Sequence, residues 1–331
     1  MNIILPQPVE VEAVQKLEEA GHTIVTAPDP RTETLLPLMK NVQAVILRTG
    51  VTMTRELIEA AEDLKVISRT GGGFDNVDIE AATDNGVIVT SNLGVNSTSV
   101  CEHVLAMMLS LARQLGRLDH AVRNQNYQIR YQNLSRDLHG KTLGLLGFGR
   151  IGFRVATACQ TLFNMRVLAC DPCLPVEVRE RYVELATFVD KAQLCRDSDI
   201  ISVHVPLTRE TRHALSAAEF ALMKSDAILI NTSRGPVIDE EALVEALQNN
   251  DIGGAGLDVQ DQEPPRPDNP LLKLDNVLLT PHSAALTKEC VIRMATDAAD
   301  RTIEVLADIK PINVANPEVL ALHKWRHLKE K

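Results

Sequence analysis

The chain has 331 residues, 45% of them hydrophobic and 24% charged, with a formal net charge of −10. At roughly 150 residues per domain, that length points to two domains, each able to bury its own core, and the composition excludes a disordered or fibrous chain. The acidic balance and the lack of a basic block exclude a nucleic-acid phosphate backbone as a natural direct ligand.

The opening run Met1-Asn2-Ile3-Ile4-Leu5-Pro6 is too short for a signal peptide, and Glu10 and Glu12 follow where an apolar stretch would have to continue, so a cytoplasmic protein is expected. No uncharged apolar stretch approaches the roughly 20 residues of a membrane helix; the longest, Val104 to Ala112, reads as a buried helix. Short apolar runs at Asn2–Leu5, Thr23–Val25, Ala44–Leu47, Val66–Ser68 and Val87–Thr90 alternate with amphipathic stretches such as Thr54–Ala61. This is the pattern of βαβ units on a parallel sheet.

Ser99 with Glu102 three residues on predicts a helix N-terminus with a capping box. Val100, Val104, Leu105, Met108, Leu111, Ala112 and Leu115 would then share one broad apolar face. A second series of strands is predicted at Thr142–Leu146, Arg166–Ala169, Asp199–Val205, Ala227–Ile230, Ala255–Val259 and Asn276–Leu279. A helical stretch from about Thr287 to Ile309 should return the chain to the first domain. The expected class is α/β, with two Rossmann-like domains built on parallel sheets: residues 1–99 completed by 286–331, and residues 100–285.

Gly147-Phe148-Gly149-Arg150-Ile151-Gly152 directly follows one predicted strand and directly precedes the helical Phe153–Leu162. That context makes G-x-G-x-x-G a dinucleotide-binding motif: Gly147 for the tight turn, Gly149 for close approach to a pyrophosphate, and Gly152 for helix-on-strand packing. Asp171 ends the next strand at the spacing, roughly 20 residues from the motif, of an acid that holds the adenosine ribose and repels a 2′-phosphate. The expected cofactor is therefore NAD, and residues 100–285 its domain. The plain alternative is that Asp171 opens an Asp-Pro turn. Of the six cysteines, five lie in or beside apolar segments, as reduced thiols do, and Cys170-Asp171-Pro172-Cys173 lacks a second ligand pair, so no metal is expected.

Three later strands run into Arg234, Glu263 and His282, and ligands of an open parallel sheet bind just beyond the strands' carboxyl ends. A guanidinium grips the carboxylate of a 2-oxo acid with paired hydrogen bonds, and a histidine supplies the proton that the new alkoxide needs. A carboxylate on the other imidazole nitrogen fixes the tautomer and would raise the histidine pKa. Arg234, His282 and Glu263 are expected in those roles. Taken singly, each residue is an ordinary surface or loop group.

Gly147–Gly152, the run Asn231-Thr232-Ser233-Arg234-Gly235-Pro236-Val237-Ile238-Asp239, Leu257-Asp258-Val259 with Glu263-Pro264, and Pro281-His282 resemble successive signatures of the D-2-hydroxyacid dehydrogenases. The resemblance spans nearly the whole chain and is greatest to the 3-phosphoglycerate dehydrogenase and hydroxypyruvate reductase branch. It implies the same catalytic roles for Arg234, Glu263 and His282, and Asp258 as a partner of the nicotinamide carboxamide. Val205, Thr232 and the backbone of Arg150 and Ile151 are implied cofactor contacts. Formate dehydrogenases of the family carry glutamine where Glu263 stands, which favours a 2-oxo acid substrate.

Arg69-Thr70-Gly71-Gly72-Gly73-Phe74-Asp75-Asn76-Val77-Asp78 resembles the family's substrate loop. Glycines between a strand and a helix start would expose backbone N–H groups to a carboxylate, and Gly72 and Gly73 are the candidates; a simple strand-to-helix turn is the alternative. Arg48 and Arg69 resemble the arginines that hold the distal phosphate in 3-phosphoglycerate dehydrogenases, although relatives acting on unphosphorylated acids also carry arginine there. Because the chain ends soon after its last helix, the regulatory domains of many such enzymes are not expected. The resemblance also implies a homodimer through Ser99–Leu115, though that apolar face could equally serve the domain core. The partners expected are a small 2-oxo or 2-hydroxy acid, with neither nucleic acid nor membrane. An NAD(H)-sensing corepressor is the competing function, since some relatives serve as one.

Overall fold

Runs of Val, Ile and Leu form strands whose successive side chains enter cores on opposite sheet faces, the arrangement of a parallel sheet covered on both sides. The computed structural model describes residues 1–132 and 134–330, which divide into two units: Met1–Asn96 with the described residues from Leu286 onward, and Ser97–Ala285. Both sheets are parallel throughout.

In the first unit β1 (Asn2–Leu5), β2 (Thr23–Thr26), β3 (Ala44–Leu47), β4 (Val66–Arg69) and β5 (Ile88–Thr90) lie in the order β2-β1-β3-β4-β5. Ile4, Val45 and Leu47 pack into one core with Leu57 and Ile58, while Ile3, Leu5, Ala44 and Ile46 pack into the other with Ala295, Ala298 and Val305. Those last three belong to the helix Lys288–Leu306, so the C-terminal segment completes this unit's own core. Its docking includes a buried hydroxyl chain in which Thr302 and Thr90 both bond Ser68, at 2.8 and 3.1 Å. Beyond it, Asn316 accepts from Val89 N and donates to Val87 O, each at 2.9 Å, and Trp325 donates to Gly86 O at 2.8 Å.

In the second unit β6 (Thr142–Leu146), β7 (Arg166–Cys170), β8 (Thr187–Phe188), β9 (Ile200–Val203), β10 (Ile228–Asn231), β11 (Gly254–Leu257) and β12 (Val277–Leu279) take the order β12-β11-β10-β9-β6-β7-β8. The direction of winding reverses between β6 and β9, the switch point where such sheets bind ligands. Leu143, Leu145, Ile228 and Ile230 face one core; Ile201, Val203 and Leu229 face the other.

Local boundaries follow the caps. Thr54, Asp78, Asp190, Asp239 and Thr287 each accept a backbone N–H of the helix they precede. The capping box expected at Ser99 is not formed: the helix Ser97–Ala112 already includes Ser99. It ends before Gln114, whose φ of +52° turns the chain, so Leu115 opens a separate helix, Leu115–Arg123, and is 53% exposed rather than part of the same face. Val104, Met107, Met108 and Ala112 are buried in the core of their own unit. Gly72 and Gly73 do not stand at a helix start either; the next helix begins at Ile79, because Asp78 is the residue able to cap it.

Candidate active site

The glycine motif closes on the switch point. Gly147 follows β6 with φ +96°, and a Cβ there would lie 2.8 Å from the His204 backbone and 2.9 Å from Val205. Only glycine fits that close approach. Gly149 occupies the N-cap of the helix Arg150–Phe163, whose first N–H groups, those of Arg150, Ile151 and Gly152, have no intrahelical acceptor. A Cβ at Gly152 would stand 2.6 Å from Gly147 O, so that glycine lets helix and turn touch.

Asp171 accepts from Phe148 N at 2.9 Å and from Cys173 N at 3.2 Å. It thus ties the glycine turn to the end of β7 and also makes the Asp-Pro turn. Arg179, which the sequence did not single out, donates to Leu174 O at 2.8 Å and to Asp171 O at 3.0 Å and braces this turn. Beside it opens a recess of about 480 Å³ lined by Cys170, Asp171, Phe188 and Lys191 among others. Burial raises the pKa of Cys170, and Cys173 is exposed. No cluster of three His, Cys, Asp or Glu side chains able to hold a metal exists among the described residues.

His204 directly follows β9 beneath the glycine turn, its N–H on Leu146 O at 2.7 Å and its Nε2 2.9 Å from Ser202 Oγ. Part of the residue reaches solvent, yet burial of the ring pushes its pKa down to about 4 and keeps it neutral. Thr232 follows β10, and its buried Oγ1 has no hydrogen-bond partner among the described residues. A buried hydroxyl without a partner is costly, and a ligand amide or hydroxyl would satisfy it. The glycine turn, the helix N-terminus, the acid at Asp171 and this orphan hydroxyl together fit NAD.

Past the same strand ends, Ser233 bonds Val205 O through its hydroxyl, and Asn231, fully buried, accepts from Ser233 N at 3.0 Å and donates to Arg234 O at 2.9 Å. This closes the loop that presents Arg234, whose Nη1 donates to Ser233 O at 2.7 Å. Glu263 Oε2 lies 2.8 Å from His282 Nδ1, and Oε1 accepts from Gln260 N at 3.2 Å. Burial raises the Glu263 pKa, but the hydrogen bond and charge of His282, the Gln260 N–H and the charge of Arg234 outweigh it and hold the carboxyl below its ordinary value. With Nδ1–H on the carboxylate, His282 is left with Nε2 for a substrate.

Asp258 is 1% exposed, and its carboxylate accepts from Thr280 Oγ1 at 2.6 Å, Ser283 N at 2.8 Å and Ala284 N at 2.9 Å, so it holds the turn around His282. His282 itself has φ +50° and donates its N–H to Asp258 O at 2.8 Å.

The remaining candidates belong to the first unit. Arg69, 3% exposed, donates to Gly73 O and Leu47 O, each at 3.0 Å, and thereby folds the glycine loop onto β3. Arg48 donates to Pro8 O at 3.0 Å and pairs with Glu10 at 3.4 Å. Gly72 is partly exposed and lies beside Asn96, and Gly73 is partly exposed as well.

Comparison with known proteins agrees with this architecture. Residues 105–284 match the model of the D-isomer specific 2-hydroxyacid dehydrogenase NAD binding domain. The D-3-phosphoglycerate dehydrogenase of Methanocaldococcus jannaschii is 40% identical over 99% of this chain, which spans 62% of that protein's length. The hydroxypyruvate reductase of Thermotoga maritima is 36% identical over 90% of this chain and 96% of its own. A crystal structure of D-lactate dehydrogenase from Aquifex aeolicus, complexed with NAD and lactic acid, superposes with a TM-score of 0.82 at 29% identity, over 96% of this chain and 99% of that one. No helix among the described residues is long and apolar enough to cross a membrane. The glycine turn at the switch point and the whole-length similarity lead to one conclusion: this chain belongs to the D-isomer specific 2-hydroxyacid dehydrogenases and carries their NAD binding domain.

Proposed function

We propose that the protein is an NAD-dependent dehydrogenase interconverting a small 2-oxo acid and the corresponding D-2-hydroxy acid. The observation that carries this reading is the His282–Glu263 pair at 2.8 Å, held at the strand ends of the NAD binding domain within reach of the Arg234 charge. When bound, NADH supplies the hydride. Arg234 grips the substrate carboxylate through its planar guanidinium and polarises the adjacent carbonyl oxygen. His282 Nε2 delivers a proton to that oxygen as negative charge gathers there, and takes it back in the oxidative direction. Glu263 holds Nδ1–H, keeps Nε2 aimed outward and offsets the positive charge of the protonated ring.

Arg48 and Arg69 are the first unit's candidates for holding a distal phosphate. Arg48 is paired with Glu10, and Arg69 is buried with backbone carbonyls on two of its nitrogens. These commitments favour an unphosphorylated acid, glyoxylate or hydroxypyruvate, over 3-phosphohydroxypyruvate. Gly72 and Gly73 are assigned to a carboxylate through their backbone N–H groups.

Steady-state rates with NADH and glyoxylate, hydroxypyruvate, pyruvate and 3-phosphohydroxypyruvate test the reading. Turnover of an unphosphorylated acid is expected, and His282→Ala should reduce it by roughly 10²–10⁴-fold while leaving NADH affinity in place. Tight NADH binding without turnover of any of the four would refute the enzyme reading and favour a sensor.

A further inference from the structure

Behind His282 lies a polar chain that reaches the helix Ser97–Ala112. His103 Nε2 stands 3.0 Å from Thr280 Oγ1, and Thr280 Oγ1 stands 2.6 Å from Asp258 Oδ1. The proton order follows from chemistry. An ionised carboxylate only accepts, so the single hydroxyl proton of Thr280 goes to Asp258, and His103 must donate from Nε2 to the oxygen that remains. His103 is 22% exposed, and its Nε2 also lies 3.6 Å from Asp258 Oδ1, close enough for its N–H dipole to favour the carboxylate.

Asp258 in turn sets the turn that carries His282. Its carboxylate takes the N–H groups of Ser283 and Ala284, and its own peptide oxygen takes that of His282, on both sides of a residue at φ +50°. A non-glycine residue in the left-handed region persists only where its surroundings hold it. Three hydrogen bonds from one residue are that hold here.

We infer that His103 is a positioning residue for His282: through Thr280 it orients the Asp258 carboxylate, and Asp258 fixes the backbone from which the His282 ring projects toward Glu263. The inference rests on the acid–base role proposed for His282. It assigns the Nε2–H tautomer to His103.

The test is His103→Leu and Thr280→Val in the full chain, beside the conservative His103→Gln, whose amide can donate from a similar reach, and Thr280→Ser. With hydroxypyruvate and NADH, the two disruptive variants should each lower kcat about tenfold, the order expected for one lost hydrogen bond, with NADH Kd nearly unchanged. The conservative variants should recover most of the loss, and the disruptive double variant should be no slower than the slower single. Wild-type kcat in His103→Leu, losses that multiply in the double variant, or no recovery in His103→Gln would each overturn the inference.

The NMR resonances of the His282 ring, assigned through His282→Ala, separate this from the underlying reading. They should shift in His103→Leu and return in His103→Gln. Unmoved resonances overturn the positioning role even if His282→Ala is inactive. Shifted resonances beside a fully active His282→Ala protein would refute the acid–base role and leave the positioning intact.

Discussion

Neutral His204 beneath the glycine turn makes the stability of the second unit depend on pH in a calculable way. Its folded pKa is depressed to about 4, against 6.5 for the imidazole of an unfolded chain. Above pH 6.5 neither state binds the proton, and the full stability is present. As pH falls toward 4 the unfolded state gains a proton that the folded state refuses, so stability is lost across that window. Linkage puts the loss at about 2 kcal/mol between pH 7 and pH 5, and at about 3 kcal/mol by pH 4. His204→Gln has no titrating ring and should lack this component while retaining whatever the other groups contribute. Amide exchange over the segments of β6 and β9 at the two pH values, corrected for intrinsic rates, reads the opening free energy locally. The single tryptophan, Trp325, lies in the other unit and offers a fluorescence control there. If wild type and His204→Gln lose the same free energy between pH 7 and pH 5, the ring is not held neutral by burial and the argument fails.

Glu263→Gln should lower kcat at pH 7 by roughly tenfold, the scale of a lost charge-assisted contact. A carboxyl held below its ordinary value is charged at pH 7, so wild-type kcat there would refute the pairing. Gly147→Ala places a Cβ 2.8 Å from the His204 backbone at φ +96° and should cost about 1–3 kcal/mol in urea unfolding and weaken NADH at least about tenfold; wild-type titrations would contradict the turn geometry. Asp171→Asn retains an acceptor for Phe148 N, gives up the one for Cys173 N and removes the charge, so the preference for NADH over NADPH in kcat/KM should shrink. An unchanged preference would mean that the anion does not face the ribose.

Much of the architecture was legible without coordinates, for physical reasons that differ from element to element. Buried parallel strands must be apolar on both faces, so Ala44–Leu47 and Thr142–Leu146 stand out from their surroundings, whereas β8, two residues at a sheet edge, carries no such run and was missed. The glycine motif is legible because a close approach of backbone to backbone leaves one residue type able to serve. Thr54 and Thr287 mark real helix starts, but Ser99 looked like a third and proved to lie inside a helix. Capping depends on where the chain enters, which residue type alone does not set.

The sequence alone also determined that Arg234, Glu263 and His282 follow strands, since each succeeds a short apolar run. That His282 meets Glu263, that Asp258 turns inward to hold the His282 backbone, and that Arg48 meets Glu10 were decided by the tertiary structure alone. The same holds for His103, which contacts Thr280 across 177 residues of chain. Periodicity and turn chemistry act over a few residues and are written locally. A hydrogen bond between side chains so far apart exists only after the sheet has set its strand order and register, and no local pattern records that outcome.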